Sequence, residues 1–307
     1  MDKYDENVVP NSFGLNNTGV ICYINSLLQM LVSCTAFIKV VLANKEYMAM
    51  TRTGKAMYDF VFAALNPSNP PVQLLSQNVL SALVEDLKMR KPKVHFGAGQ
   101  ESASEALVLL LEMIEPQVPP TTPVPPTAPV PPTPLHHPVS DVFRHRYICR
   151  IYCDNCKKTG PESVDTGVIL QLFGSLPKDE AEFTKLIRSY GNPIAECECE
   201  HCGSGTRLFR CYQLALISEV VICSFNIYGE RPPDRYFPDK FSIPAKGGGS
   251  MSFKLVAQVE HSGTLSGGHY VARGLRKNGI MSFNDLGTSP STLSPSPNTY
   301  MAAYHYT

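Results

Sequence analysis

Residues Gly14 to Val32 read GLNNTGVICYINSLLQMLV, and the fold turns on how this stretch divides. Asn16, Asn17, Thr18 and Gly19 are turn formers and do not belong in a core. Ile24, Leu27, Leu28, Leu31 and Val32 follow at i, i+3, i+4, i+7 and i+8, which is one apolar face of a helix. Cys22 sits at the junction. A thiol at a helix N-terminus meets unpaired N–H groups and the positive end of the dipole, and both favour thiolate. The loop before it supplies backbone N–H groups and Asn side chains, the donors an oxyanion requires. The alternative is a small buried hydrophobe, the ordinary role of a lone cysteine beside an apolar helix. A nucleophile needs a base and a group to orient it.

Residues Ser262 to Asp285 read SGTLSGGHYVARGLRKNGIMSFND. His269 follows two glycines and opens a strand, His269–Ala272, rich in β-formers. Lys277, Asn278 and Gly279 make a hairpin turn, and the returning strand Ile280–Phe283 ends in Asn284 and Asp285. A hairpin of this size brings Asn284 beside His269, where it orients the ring and selects its tautomer. Taken singly, His269 reads as a satisfied histidine and Asn284-Asp285 as a turn.

Together these segments resemble the ubiquitin-specific protease (USP) family of papain-like cysteine deubiquitinases. The family's cysteine box, G-L-x-N-x-G-x-x-C-Y-x-N-S-x-L-Q, is matched at Gly14, Leu15, Asn17, Gly19, Cys22, Tyr23, Asn25, Ser26, Leu28 and Gln29. Its histidine box, G-G-H-Y-x-A followed by F-[DN]-D, is matched at Gly267–Ala272 and Phe283–Asp285. The resemblance implies Cys22 as nucleophile, His269 as general base, Asn284 as its orienter with Asp285 alongside, and Asn17 as an oxyanion donor. It also implies an α+β, papain-like fold: a helical thumb, a β-rich palm and β fingers. Ubiquitin and ubiquitinated proteins would be the partners, with Gly267, Gly268 and Tyr270 lining a narrow cleft for a glycine-glycine tail.

The stretch His95–Glu115, HFGAGQESASEALVLLLEMIE, carries an apolar face of Ala103, Leu107, Leu110, Leu111 and Ile114, with Ser102 as cap. It resembles the USP box G-x-Q-[QE]-D-A-x-E-F-L at Gln100, Glu101, Ala103, Glu105 and Leu107. Ser102 stands where the family has Asp, and Ala106 where it has Phe. In the family, acids on this helix bind the basic tail of ubiquitin, so the resemblance implies that role for Glu105, whereas Ser102 offers no charge. Otherwise this is a solvated helix face.

Cys153-Asp-Asn-Cys156 and Cys199-Glu-His-Cys202 are two CxxC units. Two thiolates on one turn share a tetrahedral ion, and two such pairs complete a structural zinc site with no position open to substrate water. Cys197 is an alternative ligand, and Cys149 and Cys211 fall on strand-like segments. A redox reading of CxxC lacks a surrounding βαβ pattern. The site's position resembles the USP fingers.

The remaining chain bounds these readings. It has 307 residues, ample for a core, and 27 basic residues balance 27 acidic ones, which gives no footing for nucleic acid or a membrane surface. Ten cysteines and a polar N-terminus without a visible secretory signal point to a reducing, intracellular setting, cytoplasm or nucleus. Residues 1–12 are expected as a flexible arm and 13–115 as the helical thumb, with helices over Thr53–Leu65 and Leu74–Lys88. Pro116–Pro138 repeats VPP units and reads as an extended, solvated tether, with docking to a proline-recognition module as a second possibility. Residues 139–228 are assigned to the fingers and 229–307 to the palm. Strands are expected at Gly167–Phe173, Arg207–Leu216, Ser218–Tyr228, Ser252–His261 and Thr299–Tyr306, a helix at Asp179–Tyr190, and a loop at Thr288–Pro297. Two rivals stay open beside the deubiquitinase: a catalytically weak ubiquitin-binding scaffold, and a protease of a ubiquitin-like modifier or of ordinary proteins.

Overall fold

The computed structural model describes residues 5–66, 71–117, 137–172, 177–194, 199–203, 208–225, 237–245, 248–264 and 267–307. The first part is helical. α1 (Cys22–Leu31), α2 (Thr35–Ala43), α3 (Lys45–Met48), α4 (Arg52–Leu65), α5 (Leu75–Arg90) and α6 (Ala103–Ile114) precede a short α7 (Pro138–Asp141). The stripes expected of α4 and α5 are core: Met57, Phe60, Val61, Val79, Leu83 and Leu87 are almost wholly buried. Every residue of α1 is buried, so it is the central helix rather than a surface one. No single helix among the described residues is long and apolar enough to cross a membrane.

The second part is mostly strand: β1 (His145–Cys153), β2 (Thr159–Gly167), β3 (Leu170–Leu172), then α8 (Glu180–Arg188), β4 (Ser189–Ile194), β5 (Leu208–Leu216), β6 (Val220–Phe225), β7 (Lys240–Pro244), β8 (Ser250–Thr264), β9 (Gly267–Arg276), β10 (Gly279–Asn284), β11 (Gly287–Pro290) and β12 (Thr299–Tyr306). They form two sheets. The smaller runs β2-β1-β5-β4. The larger runs β11-β10-β9-β8-β12-β6-β3, with β7 paired to the free length of β8. β6 and β12 are buried on both faces, and their sequences, VVICSF and TYMAAYHY, accordingly show no alternation of apolar and charged residues.

Four expectations change. Residues 5–12 are packed, not a free arm: Asp5 pairs with Lys39 at 3.2 Å, Val9 is 4% exposed, and the Pro10 carbonyl accepts from Lys277 N–H. β3 and β6 belong to the larger sheet, so the 139–228 boundary does not follow the sheets. The helix after Asp179 ends at Arg188, because Ser189–Ile194 pairs with β5 instead of continuing it. The start of the loop expected at Thr288–Pro297 instead belongs to an edge strand, Gly287–Pro290, paired with β10. The proline-rich stretch lies almost wholly outside the described residues.

α1 lies against β9 and β10, and this contact places the first residue of α1 beside the histidine and asparagine boxes.

Candidate active site

Cys22 is the first residue of α1 and is 4% exposed. Burial pushes its thiol above the ordinary range, and the Asp285 carboxylate adds to that, against the lowering effect of N–H groups from Tyr270, Tyr23 and Cys22 itself. The helix terminus does favour the thiolate, as the sequence suggested, but desolvation outweighs it. The thiol therefore needs a base to take its proton.

The residue next to Tyr270, whose N–H meets the thiol, is a histidine. His269 precedes Tyr270 on β9, and its Nε2 lies 2.7 Å from Asn284 Oδ1, at the end of β10. A carbonyl oxygen only accepts, so Nε2 carries the proton and Nδ1 keeps its lone pair. The register Phe283↔Ala272 of the hairpin sets this pairing. The Asp285 carboxylate is 4.0 Å from the same nitrogen.

Asp285 does not hang free. Asn17 Nδ2 donates to one carboxylate oxygen at 2.9 Å and Asn25 Nδ2 to the other at 2.8 Å. The Asn17 side-chain oxygen, Oδ1, accepts from the N–H groups of Gly19 and Ile21, fixing the loop before the cysteine. Asn17, expected as an oxyanion donor, is thus held in place by Asp285. Asn25 was legible only as part of the box. Its signal was a polar residue inside an otherwise apolar helical run, and its work is to hold Asp285 against α1.

A model of the family "Ubiquitin carboxyl-terminal hydrolase" matches residues 13–304. The chain belongs to that family. Comparison with curated protein sequences gave no match. Among solved structures, a chain of the SAGA DUB module Ubp8/Sgf11/Sus1/Sgf73 bound to monoubiquitin superposes with a TM-score of 0.69 at 17% identity, covering 100% of this chain and 71% of that one. A chain of the same module bound to ubiquitin aldehyde gives 0.69 at 18%, covering 100% and 72%. A chain of the yeast module with an Sgf73 variant gives 0.68 at 15%, covering 100% and 71%. These likenesses show the fold, in which the ubiquitin hydrolase's helical thumb, its larger sheet as palm and its smaller sheet as fingers are all present.

In this ubiquitin hydrolase, Ser102 caps α6 by accepting from Glu105 N–H at 3.2 Å. Its hydroxyl also lies 2.7 Å from Tyr300 Oη, which in turn meets Ser104 Oγ at 2.6 Å. Three hydroxyls stand where the family's pattern has a carboxylate. Glu105 is exposed and faces a cleft of roughly 610 Å³ between α6 and the β2–β3 junction. Gly267 and Gly268 lie at the start of β9, and Gly268 has no room for a side chain beside His261 and Ser262.

At the far end of the fingers, the sulfurs of Cys153, Cys156, Cys199 and Cys202 all lie within 4.8 Å of one another. Cys153 and Cys202 are 3.6 Å apart, and Cys156 and Cys199 3.7 Å. Four thiolates at about 2.3 Å from one tetrahedral ion sit about 3.8 Å apart, so the cluster fits a metal of that kind. Both turns are built alike, with a residue in the left-handed region after the second cysteine: Lys157 at φ 59° and Gly203 at φ 75°. Cys156 N–H leads the donors that lower the Cys153 thiol, whereas burial and the neighbouring sulfurs raise Cys202. Cys149 and Cys211 sit on β1 and β5, away from this set. Cys197 lies outside the described residues.

Proposed function

We propose that the chain hydrolyses the isopeptide bond between the C-terminal glycine of ubiquitin and a lysine, through a Cys22-His269-Asn284 triad. The observation that carries this is the 2.7 Å His269–Asn284 hydrogen bond, one residue from the Tyr270 N–H at the Cys22 thiol. His269 Nδ1 takes the thiol proton as Cys22 Sγ attacks the glycine carbonyl. The tetrahedral oxyanion is held by Asn17 and by N–H groups at the start of α1. Collapse breaks the C–N bond, and His269 returns the proton to the leaving amine. Water, deprotonated by His269, then cleaves the thioester and frees Cys22.

Ubiquitin as partner is supported by the monoubiquitin and ubiquitin aldehyde in the similar structures. Glu105 meets the basic tail, and Gly267 and Gly268 keep the cleft narrow. The four-cysteine cluster holds zinc, which closes the tip of the fingers structurally. A reducing intracellular setting, cytoplasm or nucleus, suits both free thiolates and this cluster.

The test is reaction with ubiquitin bearing a C-terminal electrophile, run beside probes of ubiquitin-like modifiers. Those probes are included because Ser102 brings a neutral hydroxyl to the α6 start. A covalent ubiquitin adduct that Cys22→Ala abolishes is the expected result. An adduct with another modifier alone would move the substrate, and none at all from folded protein would leave a binding scaffold.

A further inference from the structure

β9 is paired with β8 along one edge, from Thr264↔Gly267 to Ala257↔Gly274. β10 covers its other edge only from Ala272 onward. Along the uncovered length, Gly268 and Tyr270 are two residues apart and turn their N–H groups to the same side. Tyr270 N–H meets the Cys22 thiol. Gly268 N–H donates to Gln100 Oε1 at 2.7 Å, and the Gly268 carbonyl accepts from Gln100 Nε2 at 2.6 Å. One side-chain amide thus makes both bonds that a neighbouring strand would make. The pairing also fixes which end of the amide is oxygen, since a peptide N–H only donates.

The need for such a tie is local. Gly267 and Gly268 directly precede His269, and no Cβ fits at Gly268. Two successive glycines leave the backbone before the base with few restraints of its own. Gln100 has firm support, because Ser102, two residues on, caps α6 and bonds Tyr300 on β12.

We propose that Gln100 is a positioning residue for the reaction, holding the start of β9 so that His269 and the Tyr270 N–H face Cys22 together. The role rests on the acyl-transfer reading above. It acts through Gly268 and needs no contact with substrate.

The experiment compares wild type, Gln100→Ala, Gln100→Glu and His269→Ala. Gln100→Glu keeps the side chain's shape and the acceptor for Gly268 N–H but loses the donor to its carbonyl. Two quantities are read: hydrolysis of a ubiquitin C-terminal amide, and the pH profile of Cys22 alkylation by iodoacetamide, followed at that peptide by mass spectrometry. Both Gln100 variants should lower kcat about 10- to 100-fold with KM within about twofold. Both should move the acid limb of alkylation to higher pH. A raised KM with the wild-type alkylation profile would make Gln100 a substrate contact and overturn the proposal, as would wild-type values throughout. If His269→Ala leaves the alkylation profile unmoved, the acyl-transfer reading fails, and this role with it. If His269→Ala shifts it and the Gln100 variants do not, only this proposal fails.

Discussion

Asn25 Nδ2 donates to Asp285 Oδ1 at 2.8 Å, joining residues 260 apart in the chain. With Asn17 on the other oxygen, the carboxylate receives an amide on each side, and the Asp285 carbonyl accepts from Leu15 N–H at 2.9 Å. Asp285 itself adopts φ 52°, a conformation Asn also tolerates. Asp285→Asn therefore keeps the backbone but sets an amide N–H₂ against one of its two donors. We expect a loss of about 1–3 kcal/mol in urea unfolding, and a similar loss for Asn25→Ala. Activity should fall further than stability, because Asn284 is the preceding residue. Unfolding midpoints equal to wild type in both variants would show that this cradle holds nothing.

Two buried imidazoles make the fold sensitive to acid. Burial pushes His145 down to about 4 and also lowers His305. His305 is committed to one neutral tautomer: its Nδ1–H donates to the Tyr306 carbonyl at 2.7 Å, and its Nε2 accepts from Ala36 N–H at 3.1 Å. The unfolded chain binds these protons near pH 6.5, the folded one only at lower pH, near 4 for His145. Stability is thus fully present above about pH 6.5 and is lost as pH falls toward 4. For His145 the loss is at most about 3 kcal/mol. Urea midpoints at pH 7 and pH 5 should differ in wild type and differ less in His145→Gln. Equal differences in the two proteins would count against this account.

The four-cysteine cluster ties the end of β1 to the turn before β5. Metal analysis of the purified chain should find one zinc per molecule. Cys199→Ser should lose it and lower the melting temperature, as should a strong chelator. Cys22 alkylation should stay near the wild-type rate, because the cluster sits at the far end of the smaller sheet. Full metal binding by Cys199→Ser would mean that another ligand, such as Cys197, completes the set.

The parts of this site that could be read from sequence were those encoded locally. The turn before Cys22, the apolar face after it and the hairpin around Lys277–Gly279 each carry their own periodicity or turn chemistry, and each stands where expected. The two CxxC turns were equally plain. What could not be read depends on partners distant in the chain. β2 is TGPESVDTG, almost wholly exposed, and is a strand only because β1 pairs with it. β4 contains Gly191 and Pro193 and is strand only against β5. The thiol's raised proton affinity was hidden for the same reason, since the helix terminus is local whereas the burial that outweighs it comes from packing against β9. Arg276 is the clearest case. It is 2% exposed, yet its sequence neighbourhood looks like a solvated hairpin. It stacks 4.4 Å from the Phe283 ring and donates to Ser33 Oγ at 2.8 Å and to Gln29, so it pins α1 to the β9–β10 hairpin.

Gly14, the first residue of the cysteine box, passes directly against the backbone of Leu286. A Cβ built there would overlap the Leu286 Cα, carbonyl carbon and carbonyl oxygen. Backbone cannot swing aside as a flexible side chain can, so Gly14→Ala must push the 285–286 turn away from the loop that carries Asn17. That turn holds Asp285 and adjoins Asn284, and the Leu15 N–H bond to Asp285 is the next contact along. We expect a loss of about 1–3 kcal/mol in stability, as for other overpacked sites. At temperatures where the variant is still folded, kcat should also fall, because the Asn284 carbonyl would leave His269 Nε2. The readout that separates the two effects is the Cys22 alkylation profile at 15 °C, where its acid limb should move toward that of His269→Ala. A Gly14→Ala protein with lowered stability but a wild-type profile would mean that the turn yields elsewhere and that Gly14 serves packing alone.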